Sequence, residues 1–244
     1  MASNSLLVDA GNTRIKWGIH DGRAWVTRDA VATADVRSLS DAWTPSFVAR
    51  HALASNVAGT GVQAELEQLC AAARVPLRFI RSEARQLGVV NGYSDPGQLG
   101  SDRWAALIAA HHAERGHKLV VNAGTALTVD AITDDGHFLG GLIVPGPALM
   151  RRSLDRGTAG LRLTEGVFRH FPASTPDAIT SGAIQAAAGA IERMCGAMAR
   201  RGVAAGRIVL SGGAAPEIAG HLSLPHAIHE NLVLDGLALI ARAP

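Results

Sequence analysis

The chain is poor in aromatic residues, in cysteine and in any excess of charge. Phe, Trp and Tyr make up 4% of its 244 residues, and Tyr93 is the single tyrosine. Surfaces that stack nucleic-acid bases need aromatic side chains, so this composition argues against one. With 23 basic and 21 acidic residues the net charge is +2, which gives no electrostatic footprint for a nucleic acid or an anionic membrane. The two cysteines, Cys70 and Cys195, show no CxxC or Cys/His spacing. A disulfide framework or zinc site does not fit, whereas free thiols in a reducing cytosol do. No window approaches the roughly 20 apolar residues of a membrane span. The start MASNSLLVDAG also lacks a basic segment followed by an apolar one, so the expectation is a soluble, cytoplasmic protein.

What is present is a compact composition, 48% hydrophobic and 18% charged, with 27 glycines. The length allows one large or two modest domains. The opening stretch LLVDAGNTRIKWGIHDG predicts a strand over 6–9, a tight polar turn, a strand over 14–20, an Asp-Gly turn and a strand over 24–27. The stretch LVVNAGTALTVDAITDDGHFLGG repeats that plan, with strands over 119–121, 127–132 and 137–141. Val8-Asp9-Ala10-Gly11 lies over Val121-Asn122-Ala123-Gly124, a weak internal repeat about half a chain apart. A chance likeness of two hairpins would look the same.

Helices are expected over GVQAELEQLCAAARV, over SDRWAALIAAHHAERG with Ser101 as its cap, over the Ala-rich run from Thr175 with Thr175 as its cap, and over ENLVLDGLALIARA. PLRFIR and RIVLSGG add strands. His111 and His112 read as solvated helix residues. The boundary falls near AERGHK, giving domains of 1–115 and 116–244, with room for the last helix to pack back on the first domain. Each half would be an antiparallel three-stranded start followed by helices and parallel strands, with both turns facing a cleft between the halves.

A turn of Gly, Asn and Thr can aim backbone N–H groups and a hydroxyl at one point, which makes an anion site. Asp9 cannot face phosphate directly without repulsion, but it can hold Mg²⁺, usually through water. Lys16 adds a cation on the same strand face as Arg14, with Ile15 and Trp17 on the other face. The second turn supplies Gly124, Thr125 and Thr128, and LSGG at 210–213 would let an adenosine lie against backbone. An ordinary Asp-x-Gly-Asn hairpin turn accounts for the first of these equally well. Asp102-Arg103, taken alone, reads as the acidic start of a helix with its own ion pair.

Together DAGNTRIKWG, QLGSDRWAAL, NAGTALTVD, GGLIVPGPALM and LVLDGL resemble the type III pantothenate kinases of the acetate and sugar kinase/Hsp70/actin superfamily, in order and over nearly the whole chain. GSDRW is the most distinctive of the five. The resemblance implies an α/β fold of two similar ribonuclease H-like domains around a nucleotide cleft. It also implies ATP-dependent phosphorylation of pantothenate to 4′-phosphopantothenate, at the start of coenzyme A biosynthesis. Carried over residue by residue, Asp9, Ala10, Gly11, Asn12, Thr13, Arg14, Ile15 and Lys16 match the first ATP-phosphate loop, with Asp9 toward Mg²⁺, and Thr125 matches the second. Gly100, Ser101, Asp102 and Arg103 match the substrate-binding stretch, with Asp102 as proton acceptor. Tyr93 matches a pantothenate contact, and Thr175 a residue that closes the pocket across a homodimer interface. Asn122 stands where the family commonly has an aspartate for a monovalent cation (K⁺ or NH₄⁺), and an amide can offer an oxygen there but no charge.

Two other readings differ in class. One is a non-catalytic, nucleotide-binding regulatory or accessory protein on the same fold. The other is a kinase of a different hydroxyl substrate, such as a sugar. Retention of Asp9, Lys16, Asp102, Arg103 and Thr125 argues against the first, and GSDRW with Tyr93 against the second.

Overall fold

The computed structural model describes residues 4–43, 49–157 and 165–243. Strand β1 (Ser5–Ala10) is an almost continuous apolar run, buried throughout except at Asp9, as suits a strand with neighbours on both edges. It pairs antiparallel with β2 (Arg14–His20), which pairs antiparallel with β3 (Trp25–Ala32). The third strand thus starts one residue later than expected and continues well past Thr27. After a single helical turn, α1 (Leu39–Ala42), strand β4 (His51–Asn56) runs parallel to β1 on its far edge. No local pattern in the sequence marks β4. Its central residues are buried on both faces, so the alternation that marks a half-exposed strand is missing.

Helix α2 (Thr60–Ala72) leads to the edge strand β5 (Leu77–Phe79). A small hairpin of β6 (Arg85–Gln86) and β7 (Val89–Val90) precedes α3 (Ser101–Ala113). Residues 103–110 of α3 are all buried. Of its two histidines, His112 is exposed, as expected, and His111 is half-buried. The His112 ring meets the Leu87 carbonyl at 2.9 Å, and a Cβ on Gly88 would come within 3.1 Å of the half-buried His111 ring.

The second half repeats the plan. Strands β8 (Lys118–Ala123), β9 (Ala126–Ile132) and β10 (Phe138–Pro145) form an antiparallel start. Helices α4 (Pro147–Gly157) and α5 (Thr175–Arg200) follow, then β11 (Arg207–Ser211), α6 (Ala215–Ala219) and β12 (His226–Ile228). The strand order is β3-β2-β1-β4-β5 in one sheet and β10-β9-β8-β11-β12 in the other, with β4 and β11 parallel to the first strand of each. The internal repeat is therefore a repeat of topology.

The cap of α5 is Ser174 rather than Thr175. The Ser174 hydroxyl accepts the Asp177 N–H at 3.3 Å, and Thr175 is the first helical residue. Ser101 is likewise the first residue of α3 rather than its cap, and the Gly100 carbonyl takes the Trp104 N–H.

The last helix, α7 (Leu232–Arg242), buries Leu232, Leu234, Leu237 and Ile240 and packs on α3 and β1. Gly236 makes this possible, since a Cβ there would stand 2.0 Å from the Ala105 carbonyl oxygen. The chain accordingly divides into one unit of Met1–Ala113 with Asn231–Pro244 and another of Glu114–Glu230. Each has its own core: Leu6, Val8, Ile15, Trp17 and Leu66 in the first, Leu119, Val121, Val129, Ile191 and Leu210 in the second. Cys70 and Cys195 are both free thiols.

Candidate active site

In the first unit, three polar side chains stand in one row across adjacent strands. Asp9 on β1 lies opposite Lys16 on β2 and Ser55 on β4. The turn after Asp9 closes with the Gly11 N–H on the Arg14 carbonyl at 3.1 Å. Its far side is tied down by the Thr33 hydroxyl, which donates to the Gly11 carbonyl at 2.7 Å. Asn12, Thr13 and Arg14 are left exposed, while Ala10 and Ile15 are buried and serve the strands. Arg14 and Lys16 share the outer face of β2, as the alternation predicts, with Ile15 and Trp17 in the core.

Asp102 enters from the first turn of α3. Its carboxylate accepts the Arg103 N–H at 2.8 Å. Burial raises the Asp102 pKa, and the Arg103 N–H and guanidinium only partly offset this. Asp9 is raised further, to about 7, first by burial and then by repulsion from Asp102, with Lys16 pulling the other way. The two acids are thus electrostatic neighbours although 93 residues separate them in sequence (102 minus 9). Gly100 makes room for this, because a Cβ there would fall 2.6 Å from the Asp102 carboxylate.

Arg103, 5% exposed, donates from Nη1 to the Tyr93 hydroxyl at 3.1 Å, and its guanidinium carbon lies 5.7 Å from the Tyr93 ring centre. Tyr93 is oriented by its N–H on the Asn91 side chain. The Ser82 hydroxyl, bonded to the Pro96 and Leu99 carbonyls, fixes the loop that leads to Gly100. Asp9, Lys16, Tyr93, Gly100, Ser101, Asp102 and Arg103 are therefore all held in one unit. An open cleft of about 690 Å³ lies beside Ser101, lined also by Asn56, Gln63, Phe79 and Arg81. Asp9, Asp102 and Tyr93 do not line it. None of its side-chain lining except Ser101 was anticipated. The one available signal was HALASN, an apolar run that ends on polar residues as LLVDAGN does.

Asn122, Thr125 and Thr175 belong to the second unit. Asn122 is the counterpart of Asp9 and pairs in register with Thr128 and Ser211. The Thr125 carbonyl takes the Gly146 N–H at 2.9 Å, and a Cβ on Gly146 would stand 2.1 Å from the Gly124 carbonyl oxygen. Gly212 of LSGG, at φ +97°, packs so closely that a Cβ would meet the Ala123 carbonyl at 2.4 Å. Three glycine-dependent segments thus converge on the second turn. Thr175 is exposed at the start of α5.

Comparison with known proteins gives a consistent answer. The family model described as type III pantothenate kinase matches residues 5–197. The type III pantothenate kinase of Nitrosospira multiformis is 46% identical over 237 residues, covering 97% of this chain and 90% of its own. Among solved structures, a Campylobacter jejuni protein named for the Baf family of transcriptional activators aligns over 97% of both chains with a TM-score of 0.60 at 20% identity. The ROK hexokinase of Thermus thermophilus aligns over 97% of both chains with a TM-score of 0.51 at 15% identity. These two likenesses concern the fold alone.

Proposed function

The chain belongs to the type III pantothenate kinase family, and we propose on that premise how its residues divide the work. The reaction moves a phosphoryl group onto the 4′ hydroxyl of pantothenate, at the start of coenzyme A biosynthesis, and we assign ATP as the donor. The observation that carries the assignment is the pairing of two half-buried, mutually repelling carboxylates, Asp9 and Asp102, beside the Arg103–Tyr93 pair.

Asp102 serves as proton acceptor. As the substrate hydroxyl attacks phosphorus, its O–H bond breaks, the proton passes to the Asp102 carboxylate, and the P–O bond to ADP breaks in line. Arg103, kept in place by Tyr93, offers a planar guanidinium to the anionic acceptor substrate. The turn Gly11–Thr13, with Arg14 and Lys16, receives the nucleotide phosphates, and Thr125 in the second unit is assigned to ATP by the family resemblance.

Asp9 fits a magnesium ion. A half-buried, desolvated carboxylate with its pKa raised to about 7 gains from a cation, and Mg²⁺ needs only one or two carboxylates when phosphates and waters complete its shell. Among the described residues no group of three or more His, Cys, Asp or Glu could hold a metal unaided. Bound there, Mg²⁺ would neutralise charge on the transferring phosphate. Asn122 offers a neutral amide oxygen to K⁺ or NH₄⁺. A second copy of the chain supplies Thr175 to the substrate pocket, so the working form is a homodimer, and its compartment is the cytoplasm.

A coupled ADP-release assay with ATP, Mg²⁺ and pantothenate, run with and without K⁺ or NH₄⁺, tests the assignment. Asp102→Asn should lower kcat by roughly 10²–10⁴ with the KM for ATP nearly unchanged. Wild-type turnover in the Asp102→Asn variant would remove Asp102 from the role, and absence of pantothenate-dependent release in the wild type would remove the kinase reading.

A further inference from the structure

Ser55 is absent from every motif that carries the family resemblance, yet it is fully buried at the centre of the site. It stands on β4 directly beside Asp9 in the parallel register with β1. Its Oγ lies 2.9 Å from the Oγ of Ser101, the first residue of α3 and the one before Asp102. One hydroxyl pair therefore ties the strand next to Asp9 to the helical turn that presents Asp102.

The tie has a physical task. Asp9 and Asp102 repel one another, and that repulsion favours movement of the α3 N-terminus away from the sheet. Tyr93 holds Arg103 and Ser82 holds the loop before Gly100, but neither bond reaches the Asp102 carboxylate. Gly100 precedes this turn, and the Asp102 carboxylate is itself bonded only to the backbone of its own turn in the contacts described above. By contrast, β4 is well anchored at this level. The Val57 N–H donates to the Ala10 carbonyl at 3.0 Å, and the Asn56 side chain closes the following turn onto Ala58 and Gly59.

We propose that Ser55 is a positioning residue that, through Ser101, fixes the Asp102 carboxylate at its working distance from the Asp9 side of the site. The hydroxyl of Ser101 then acts toward β4 rather than mainly toward substrate. This rests on the kinase reading above, in which Asp102 accepts the proton. Misplacing a reacting group by about 1 Å can cost on the order of a hundredfold in rate.

The test has two independent readouts. In the coupled assay, Ser55→Ala and Ser101→Ala should each lower kcat by about 10- to 100-fold, with the KM for ATP within twofold of wild type. The double variant should be no worse than either single one, because both remove the same bond. By amide hydrogen exchange on the nucleotide-free protein, residues 102–104 should exchange about two- to tenfold faster in Ser55→Ala, the equivalent of one hydrogen bond.

Wild-type kcat in Ser55→Ala, multiplicative losses in the double variant, or unchanged exchange at the α3 start would each overturn the proposal. Ser55→Cys, similar in volume but weakly hydrogen-bonding, replaces Ser55→Ala if that variant does not fold. The exchange readout needs no turnover. A wild-type protein inactive on pantothenate but with accelerated exchange in the variant would therefore fail the kinase reading and leave the Ser55–Ser101 tie supported.

Discussion

Replacing Asp9 by Asn should stabilise the metal-free, nucleotide-free protein at about pH 8 while abolishing turnover. The sign follows from the direction in which the carboxyl is displaced. Its folded pKa of about 7 lies above the ordinary 3.8, through burial first and Asp102 second. Between those values the folded chain holds a proton that the unfolded chain has released, so stability contributed by this group falls as pH rises from about 4 to about 7 and then levels off. At about 1.36 kcal/mol per pH unit, the displacement from 3.8 to about 7 corresponds to an upper limit of about 4 kcal/mol. For a chain of this size that is roughly 8–16 °C in Tm. Asparagine keeps the volume and carries no charge.

The measurement is the difference in unfolding free energy, or Tm, between Asp9→Asn and wild type across about pH 4.5–8.5 in EDTA. Taking the difference cancels every group that the substitution leaves alone. It should be near zero at the acid end and grow toward alkaline pH. Adding millimolar Mg²⁺ with ADP should shrink it, by stabilising wild type more than the variant. A difference independent of pH, or a variant less stable than wild type at pH 8, would refute the placement at Asp9 of a desolvated charge that Lys16 only partly compensates.

Other outcomes are expected from the same geometry. Gly100→Ala should lower kcat while changing Tm little, because its Cβ would push on the Asp102 carboxylate from 2.6 Å and touch little else closely; an unaffected kcat in steady-state assays would show that this carboxylate has slack. Tyr93→Phe should raise the KM for pantothenate by about three- to tenfold, the worth of one hydrogen bond to Arg103, with the KM for ATP unmoved. Lys118→Met should raise Tm, since the Lys118 ammonium is buried with no hydrogen-bond partner among the described residues, and burial lowers its pKa. Relief of that cost is worth about 1–3 kcal/mol, and thermal melts at pH 7 read it directly; a fall in Tm would mean that the nearby Asp134 and Glu114 compensate it in full.

The hairpins were legible because their causes are local. LLVDAGNT carries its own turn, and RIKWGIH its own alternation, so β1, β2, β8 and β9 follow from a few neighbouring residues. The same holds for the glycine turns and for the helices: α2 shows apolar residues at helical spacing, and α3 and α5 are marked by residues at their starts, Ser101 and Thr175-Pro176-Asp177. Helix caps were less secure. Ser174 and Thr175 offer equal hydroxyls, and only the extended backbone at Ser174 decides between them. Strand β4 was missed because burial on both faces erases alternation, although it is the strand that joins the antiparallel start of the sheet to β5.

The sequence by itself thus determined the two hairpins, most of the longer helices and the repeat, and it singled out Asp9, Lys16, Tyr93, Asp102, Arg103 and Thr125 as candidate site residues. Tertiary structure alone decided what surrounds them. Asp9 and Asp102 come from distant segments, and their raised pKa values arise from burial and mutual repulsion, quantities with no local sequence signal. Ser55 reaches Ser101 across 46 residues, and Gly236 lets α7 return to α3 only because the Ala105 carbonyl waits there. Turns and periodicities are encoded in nearest neighbours along the chain. The electrostatics and the close approaches of a site depend on neighbours in space, which exist only once the sheet and its helices have closed.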